Sequence, residues 1–297
     1  MFERYKANAL FTNFLKRPDI NKAYAMVGPE NPWYDTITTV HNSLAQIQEL
    51  PHEDWQITSH DGLTLKAVYY PNGSDKTLIW VHGYTSHAER ETAFPALFYR
   101  SLGFNVLVPY LRAHGPSAGE YISFGALESQ DMVLWTRQVN KVHPNGDIFV
   151  HGLSMGGGTI LYMCNQEMEN VRGLVVDAPS FNIKSTFRKV IDGAFKDDPK
   201  KDKLLHFMLK RFRKEFGVDA SDYDGFEIIR ESKYPILLMA GSIEKMDSGL
   251  EELAKNNPKE TTVLILPGCN HGNGIYKQTE LYQNTIKQFV SQNTTVR

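Results

Sequence analysis

The sequence has little of what marks secreted, nucleic-acid-binding or membrane-spanning proteins. Its 297 residues include only 2 cysteines, Cys164 and Cys269, whose spacing matches no CxxC or zinc-binding pattern. We therefore expect two free thiols and a reducing compartment. The formal net charge of −2 provides no general attraction to nucleic acid or to an anionic membrane. No apolar run is long enough to span a bilayer, so the sequence predicts a soluble, cytoplasmic protein without an integral membrane segment.

Residues 1–53 are predicted to form a helical extension that packs on the core, with breaks at Pro18 and across residues 28–33. Charged and amide side chains interrupt the apolar positions at the start of this segment, which is not typical of a signal peptide. Aromatic and basic residues alternate there instead. This leaves two interpretations, a helix on the outside of the domain or peripheral contact with a membrane surface.

From residue 54 onward, short apolar segments alternate with longer helical ones. Two strands first flank Asp61-Gly62, a pair typical of a hairpin turn. Further strands are predicted at Thr77–Val81, Asn105–Tyr110, Asp147–Val150, Gly173–Val176, Pro235–Met239 and Thr262–Leu266, and helices near 88–102, 125–142, 155–167, 248–257 and 276–292. Nearly unbroken apolar strands are typical of a parallel sheet covered on both faces. The sequence therefore predicts a three-layer α/β fold with a mostly parallel eight-stranded sheet.

One interval interrupts this alternation, because about 55 residues separate two successive strands, far more than a usual connection. The pattern predicts a helical cap at 180–234, inserted into a core formed by 54–179 and 235–297. Residues 184–214 of the cap contain 11 lysines and arginines against 4 aspartates. These charges indicate either a solvated face or attraction to an anionic ester or surface. The apolar residues of the cap either line an acyl pocket or bury the cap against the core.

Ser154 lies in the run Gly152-Leu153-Ser154-Met155-Gly156, which follows a predicted strand and precedes a predicted helix. This strand–turn–helix setting is what a G-x-S-x-G nucleophile requires, since small residues allow the sharp turn that exposes the hydroxyl. A hydroxyl needs a base to take its proton. His271 is the best candidate base because it follows the last predicted strand, at the sheet edge where active sites of open α/β sheets lie.

A carboxylate between the serine and the histidine is needed to orient the imidazole. Glu244 is the preferred candidate, because it follows a predicted strand by a short loop. Asp247, three residues further, and Asp177, directly after the preceding strand, are the alternatives. For the oxyanion we expect two backbone amides, that of Met155 after the nucleophile and that of Tyr84 in the His-Gly loop after an earlier strand.

Four motifs together resemble the α/β-hydrolase superfamily, and within it a bacterial group of FrsA/YqkD-like cell-surface hydrolases. The motifs are His82-Gly83-Tyr84-Thr85-Ser86, Arg112-Ala113-His114-Gly115-Pro116-Ser117-Ala118-Gly119, Gly152–Gly157 and Gly268-Cys269-Asn270-His271. The resemblance covers about residues 54–292 and implies that the loop carrying Arg112 and His114 braces the site, with Arg112 pairing with loop carboxylates or carbonyls. The chain departs from the family's Gly-x-x-Asp at the acid, where it has Gly241-Ser242-Ile243-Glu244.

The resulting hypothesis is a serine hydrolase, a carboxylesterase that cleaves small or medium acyl esters through an acyl-enzyme, with no metal or organic cofactor. Its partner is then a small-molecule ester, and its oligomeric state is left open. A peptidase or amidase on the same fold is the alternative, which would need acidic residues near the site to hold a substrate amine. A non-catalytic binding protein would be expected to lack part of the triad, whereas Ser154 and His271 are both present.

Overall fold

The computed structural model describes residues 2–19, 30–31 and 33–295. Eight strands form one sheet: β1 (Glu53–Thr58), β2 (Thr64–Tyr70), β3 (Lys76–Val81), β4 (Asn105–Pro109), β5 (Asp147–Leu153), β6 (Val171–Asp177), β7 (Ile236–Gly241) and β8 (Thr261–Leu266). Their order across the sheet is β1-β2-β4-β3-β5-β6-β7-β8. β2 pairs antiparallel with both β1 and β4, and all other neighbouring strands are parallel. The predicted mostly parallel eight-stranded α/β fold is confirmed.

Helices lie between the strands along the described chain, and further helices precede β1 and follow β8. They are α1 (Phe2–Leu15), α2 (Ile37–Gln48), α3 (Ala88–Ser101), α4 (Ala126–Val142), α5 (Met155–Met163), α6 (Ile183–Ala194), α7 (Lys201–Phe216), α8 (Gly225–Ile228), α9 (Asp247–Asn256), α10 (Gly274–Lys277) and α11 (Thr279–Asn293). Within the described part of the chain, no helix combines the length and the apolarity needed to cross a membrane. The cytoplasmic location stays a prediction.

The two faces of the sheet are apolar because successive side chains of a strand point to opposite sides. Along β3, Ile79 and Val81 belong to the buried cluster that contains residues of α4 and α5. Leu78 and Trp80 belong to the cluster that contains residues of α3 and α11. A strand buried on both faces has no polar side to alternate, which explains why these segments read as continuous apolar runs.

The strand bounds predicted from the sequence agree with the structure at most strands, whereas two predicted helices differ from it. The hairpin of β1 and β2 has Thr58 opposite Thr64, so that Asp61-Gly62 lies in the connection as predicted. The helix predicted at 155–167 ends at Met163, and the helix predicted at 276–292 is divided. Gln278 leaves the helical region with φ −120° and ψ 44°, and no proline or glycine marks this break in the sequence. The predicted breaks across 28–29 and at 32 lie outside the described residues.

The insertion between β6 and β7 uses its apolar side chains to bury itself. Phe187 of α6 and Phe212 of α7 are fully buried, and their rings lie 5.7 Å apart at a steep angle. Phe11 of α1 joins them, with its ring 6.5 Å from that of Phe187. Part of the positive charge is paired, since Arg188 contacts two aspartates and Lys200 contacts Glu3. The division of the chain into core, cap and extension stays a prediction, although α1 contacts the insertion and α2 contacts α3.

The connection from β5 to α5 depends on backbone passing directly against backbone. A Cβ atom at Gly156 would lie 1.9 Å from the carbonyl oxygen of Val81, and one at Gly152 would lie 2.4 Å from the carbonyl oxygen of Gly156. No side chain fits at such distances. Ser154 between them has φ 60° and ψ −114°, a conformation that residues with a side chain rarely adopt. The turn is therefore strained at the serine and is stable only because glycines flank it.

Replacing Gly156 by alanine should therefore destabilise the fold strongly. We expect Gly156→Ala to lower the free energy of unfolding by about 3 kcal/mol or more, because the new methyl group has to displace β3 backbone. Urea titration followed by circular dichroism measures this. Gly193→Ala in α6 is the matched control, since no atom lies within 4 Å of the added Cβ, and alanine should stabilise that helix by up to about 1 kcal/mol. Equal losses in both variants would contradict the steric explanation.

Candidate active site

Ser154 stands at the carboxyl edge of the sheet, where the strained turn lifts its side chain away from the backbone. Its N–H donates to the carbonyl oxygen of Asp177 at 2.8 Å, at the end of the neighbouring strand β6. Its own carbonyl oxygen accepts from the N–H groups of Gly158 at 3.0 Å and Ser180 at 3.2 Å. The main chain of Ser154 is thus held on both sides, which leaves the hydroxyl group as the part that can react.

The side chains of Ser154, His271 and Glu244 form a continuous line of hydrogen bonds. Ser154 Oγ lies 2.8 Å from His271 Nε2, and His271 Nδ1 lies 2.5 Å from Glu244 Oε2. The neutral imidazole that fits this line donates from Nδ1 to the carboxylate and accepts from the hydroxyl at Nε2. The His271 side chain is 54% exposed and that of Glu244 10%. A substrate therefore has access to the histidine, while the carboxylate is shielded.

The loops that carry these two residues are joined by hydrogen bonds. Glu244 ends a short 3₁₀ turn, and its second oxygen Oε1 accepts from the N–H of Gly241 at 3.0 Å. Ser242 Oγ accepts from the N–H of Gly268 at 3.0 Å, and the N–H of Ile243 donates to the carbonyl oxygen of Cys269 at 3.1 Å. The thiols of Cys269 and Cys164 are free and buried. These hydrogen bonds tie the loop of Glu244 to the loop of His271 and so position the two side chains relative to each other.

The hydrogen bond that His271 Nδ1 donates to Glu244 raises the pKa of His271 above its ordinary value, against the effect of burial. The charges of Glu244, Asp177 and Glu91 act in the same direction. All three carboxylates stabilise the imidazolium relative to the neutral ring. A histidine in this setting is a stronger base than one in water, which suits a group that has to take a proton from a hydroxyl.

The two alternative acids lie elsewhere. Asp247 is exposed at the start of α9. Asp177 is buried beneath the site, where its carboxylate accepts a hydrogen bond of 2.8 Å from the hydroxyl of Tyr282. Burial raises the pKa of Asp177 to about 7. Of the three candidates, Glu244 alone is hydrogen-bonded to His271 among the described residues.

The hydroxyl of Tyr282 also connects Asp177 to a buried histidine. His151 Nε2 lies 3.1 Å from Tyr282 Oη, and His151 Nδ1 lies 3.0 Å from the hydroxyl of Tyr99. Burial lowers the pKa of His151 to about 3. A neutral ring that donates from Nε2 and accepts at Nδ1 satisfies every member of this chain. His151 is therefore a structural link under the sheet edge and lies away from the reacting hydroxyl.

The loop after β3 passes beside the serine. A Cβ atom at Gly83 would lie 3.6 Å from Ser154 Cβ, so the amide of Tyr84 follows at the very edge of the site. The Tyr84 ring points away, with its centroid 5.0 Å from that of Phe14 and its hydroxyl donating to the Phe14 carbonyl oxygen. Among the described residues, no hydrogen bond from the backbone N–H of Tyr84 or of Met155 to another protein group is found. Both amides are thus available as donors.

Glu91 is a residue at the site that the sequence did not identify. Its carboxylate accepts from the N–H of Gly83 at 3.0 Å and from the indole N–H of Trp80 at 3.0 Å, and Ser86 adds a further hydrogen bond. Burial raises the pKa of Glu91. The sequence shows an acidic residue in the first turn of α3, a common feature of helix starts, and so offers no separate signal.

Arg112 and His114 are buried and are not among the described residues that line the cavity at Ser154. The Arg112 guanidinium makes two hydrogen bonds of 2.8 Å to Asp131 and contacts Asp61 at 2.9 and 3.2 Å. Burial lowers the pKa of Arg112, but these hydrogen bonds outweigh it and raise the pKa above its ordinary value. His114 is buried against the ring of His82, with centroids 4.6 Å apart, and burial lowers its pKa to about 4. These residues join the loop after β4 to its neighbours.

The fold and the position of the serine are those of an α/β-hydrolase. Comparison with known proteins identifies the family within this class. The sequence model of the family described as serine aminopeptidase, S33, matches residues 72–222, and the chain belongs to this family. It is a serine hydrolase of the α/β type.

Relatives and solved structures agree with that assignment. The uncharacterized protein YqkD of Bacillus subtilis is 24% identical over 257 residues, which cover 84% of this chain and 83% of YqkD. Monoglyceride lipase of Rattus norvegicus is 29% identical over 136 residues, or 44% of this chain and 43% of the lipase. The esterase Pf2001 of Pyrococcus furiosus has a TM-score of 0.65 at 24% identity, covering 91% of this chain and 97% of its own. At this identity the last likeness shows the fold alone.

Loss of the Arg112 charge should destabilise the fold through its buried partner. We expect Arg112→Met to lower the free energy of unfolding by about 3–5 kcal/mol, because the carboxylate of Asp131 is left buried without its cation. Urea titration measures the loss. The double variant Arg112→Met/Asp131→Leu is the control, since it removes both charges of the buried pair and should recover much of the stability. If the double variant is no more stable than the single one, the uncompensated charge is not the cause.

Proposed function

We propose that the protein is a carboxylesterase that cleaves small to medium acyl esters, with Ser154 as nucleophile, His271 as general base and Glu244 as the acid that orients it. The observation that carries this proposal is the line of hydrogen bonds from Ser154 Oγ through His271 to Glu244, 2.8 and 2.5 Å long. It supplies the nucleophile, the base and the orienting acceptor that acyl transfer by a serine requires.

In the proposed reaction, Ser154 Oγ forms a bond to the ester carbonyl carbon while its proton passes to His271 Nε2. The amides of Met155 and Tyr84 donate hydrogen bonds to the oxygen that becomes negative. His271 then gives its proton to the departing alkoxide, which leaves as an alcohol and forms the acyl-enzyme. Water attacks the acyl carbon while His271 takes its proton, and the acid departs as Ser154 Oγ regains a proton. Glu244 stabilises the imidazolium throughout.

Other residues support this reaction by position. Glu91 holds the N–H of Gly83 and thereby fixes the backbone that presents the next amide, that of Tyr84. We regard Glu91 as a positioning residue, since its hydrogen bonds are to the protein. Arg112 and His114 brace the loop after β4 through buried contacts. The proposal needs no metal or organic cofactor.

A peptidase or amidase is the second candidate, because the family carries the description serine aminopeptidase. An aminopeptidase has to hold the charged amine of its substrate next to the reacting carbonyl. Glu91 is the carboxylate that borders the cavity at Ser154, and the protein already occupies it with donors from Gly83 and Trp80. Two compared proteins are named as an esterase and a monoglyceride lipase. Together these points favour ester substrates. The intact line of three side chains disfavours a non-catalytic binding protein.

Replacement of the nucleophile should abolish covalent labelling. We expect a fluorophosphonate probe to label the wild-type protein and to leave Ser154→Ala unlabelled, because the reagent bonds to an activated serine oxygen. Mass spectrometry of the labelled peptide identifies the modified residue. Ser180→Ala is the control, because Ser180 follows the neighbouring strand β6, and this variant should label like the wild type. Equal labelling of wild type and Ser154→Ala would overturn the assignment.

The identity of the acid should appear in both rate and pH dependence. His271 acts as base only when neutral, so the raised pKa of His271 makes kcat/KM fall as the pH drops through that pKa. Glu244→Gln should reduce kcat about 10⁴-fold through loss of the correct tautomer. It should also move the acidic limb of the residual activity to lower pH, because the hydrogen bond that raises the pKa is lost.

Asp177→Asn and Asp247→Asn are the matched controls for Glu244→Gln. Asp177→Asn should keep kcat within about tenfold and shift the acidic limb slightly to lower pH, since it removes a more distant negative charge. Asp247→Asn should change neither quantity. A loss of several orders of magnitude in Asp177→Asn, with near-normal rates in Glu244→Gln, would assign the acid to Asp177 instead.

A further inference from the structure

A cavity of about 380 Å³ opens directly onto Ser154 and His271. One side of it is formed by Leu153 and the loop after β3. The opposite wall comes from the N-terminal part of the chain, namely Trp33 and the first turns of α2 with Ile37 and Val40. Among the described residues that line the cavity, none belongs to the insertion at 180–234. The segment 33–40 therefore lines the cavity, a role that one of the two interpretations of the sequence gives to the insertion.

The N-terminal wall is held in place by packing on elements of the site itself. The Trp33 indole lies edge-on to the ring of Tyr276, with centroids 5.6 Å apart. A Cβ atom at Gly272, the residue after His271, would lie 3.2 Å from the Trp33 ring. Val40 is 9% exposed, and Ile47 further along α2 is fully buried. Trp33 thus rests on the loop that carries His271, so the N-terminal wall contacts the site directly.

The chemistry of the cavity favours an uncharged apolar occupant. Trp33, Ile37, Val40, Leu153 and Tyr276 present apolar surface to it. Arg90 also lines the cavity, but its guanidinium is engaged by the protein, with Nη2 3.4 Å from His41 Nε2. The carboxylate of Glu91, which also borders the cavity, has donors from Gly83 and Trp80 and needs no ligand to balance it. With about 30 Å³ for each water-sized group, the volume holds about a dozen non-hydrogen atoms. This corresponds to an alkyl chain of up to about ten carbons or to an arylalkyl group.

We propose that residues 33–40 form the binding site for the uncharged alkyl or aryl group next to the reacting carbonyl, and that this segment sets chain-length selectivity. The inference rests on the proposed function for its catalytic consequence, although binding to the cavity can be measured without turnover. The insertion instead buries its apolar face in the core. The selectivity of the enzyme then resides in a segment distant in sequence from every triad residue.

Chain-length profiles test this assignment. Two substrate series distinguish the side of the ester that enters the cavity: p-nitrophenyl esters of two to twelve acyl carbons, and acetates of alcohols from one to ten carbons. Ile37→Phe should lower kcat/KM for the longest substrates of one series at least about tenfold, with the shortest substrates changed less than about twofold. Val40→Ala should move the optimum of the same series to longer chains. A change in KM rather than in kcat should dominate both effects, an increase for long chains in Ile37→Phe and a decrease for long chains in Val40→Ala.

Leu205→Phe in α7 is the matched control, because Leu205 is a half-buried apolar residue of the insertion that borders a different groove. Its profile should match that of the wild type in both series. Wild-type profiles in Ile37→Phe and Val40→Ala would overturn the proposal. So would a shifted optimum in Leu205→Phe, which would return selectivity to the insertion.

A binding experiment separates this inference from the proposed function. Ser154→Ala titrated with methyl octanoate should show a saturable blue shift of tryptophan fluorescence, because the ester displaces water from the Trp33 indole. Ser154→Ala/Trp33→Phe should lose that shift. Saturable binding without hydrolysis by the wild type would retain the site and reject the esterase proposal. Hydrolysis by the wild type with no Trp33-dependent binding and no chain-length shift would keep the esterase proposal and reject the binding site at residues 33–40.

Discussion

The contact between the backbone at Gly156 and the carbonyl group of Val81 is the constraint on which the site depends. Because a Cβ atom there would lie 1.9 Å from that oxygen, α5 can begin directly against β3 only with glycine at this position. Ser154, two residues before Gly156 in the same turn, has a positive φ of 60°. Two hydrogen bonds hold that conformation. The N–H of Ser154 donates to the carbonyl oxygen of Asp177, and the N–H of Gly158 donates to the carbonyl oxygen of Ser154. Strain at one residue is thus balanced by close packing and hydrogen bonding around it.

The ionisable groups near the serine differ in exposure, and this difference separates their roles. Glu244 is one-tenth exposed and lies at hydrogen-bond distance from the imidazole. Asp177 lies deeper, where burial raises its pKa to about 7 and Tyr282 is its donor. Beneath both, His151 stays neutral between two tyrosine hydroxyls. Burial disfavours the charged form of a carboxylate, so Asp177 takes up a proton more easily than a carboxylate in water and suits a structural role.

The N-terminal segment lines the cavity at Ser154, and the described residues of the insertion do not. The insertion has a cap-like length, yet Phe187 and Phe212 are buried with Phe11 of α1. The wall of the cavity comes from Trp33 and α2 instead. Hydrophobic periodicity indicates which face of a helix is buried, but not which partner buries it. The assignment of helices to the core or to the cavity therefore needed the tertiary structure.

The sequence by itself determined the sheet, the turn at Ser154 and the loop that carries His271, because these features depend on residues adjacent along the chain. A strand, a glycine-flanked serine and a helix follow one another within a few residues, and their periodicity is local. Only the tertiary structure decided which of three loop carboxylates contacts the imidazole, that Glu91 holds the loop after β3, and that Trp33 stands opposite the serine. Each of these depends on distances through space between segments far apart in sequence, and local patterns carry no information on such distances.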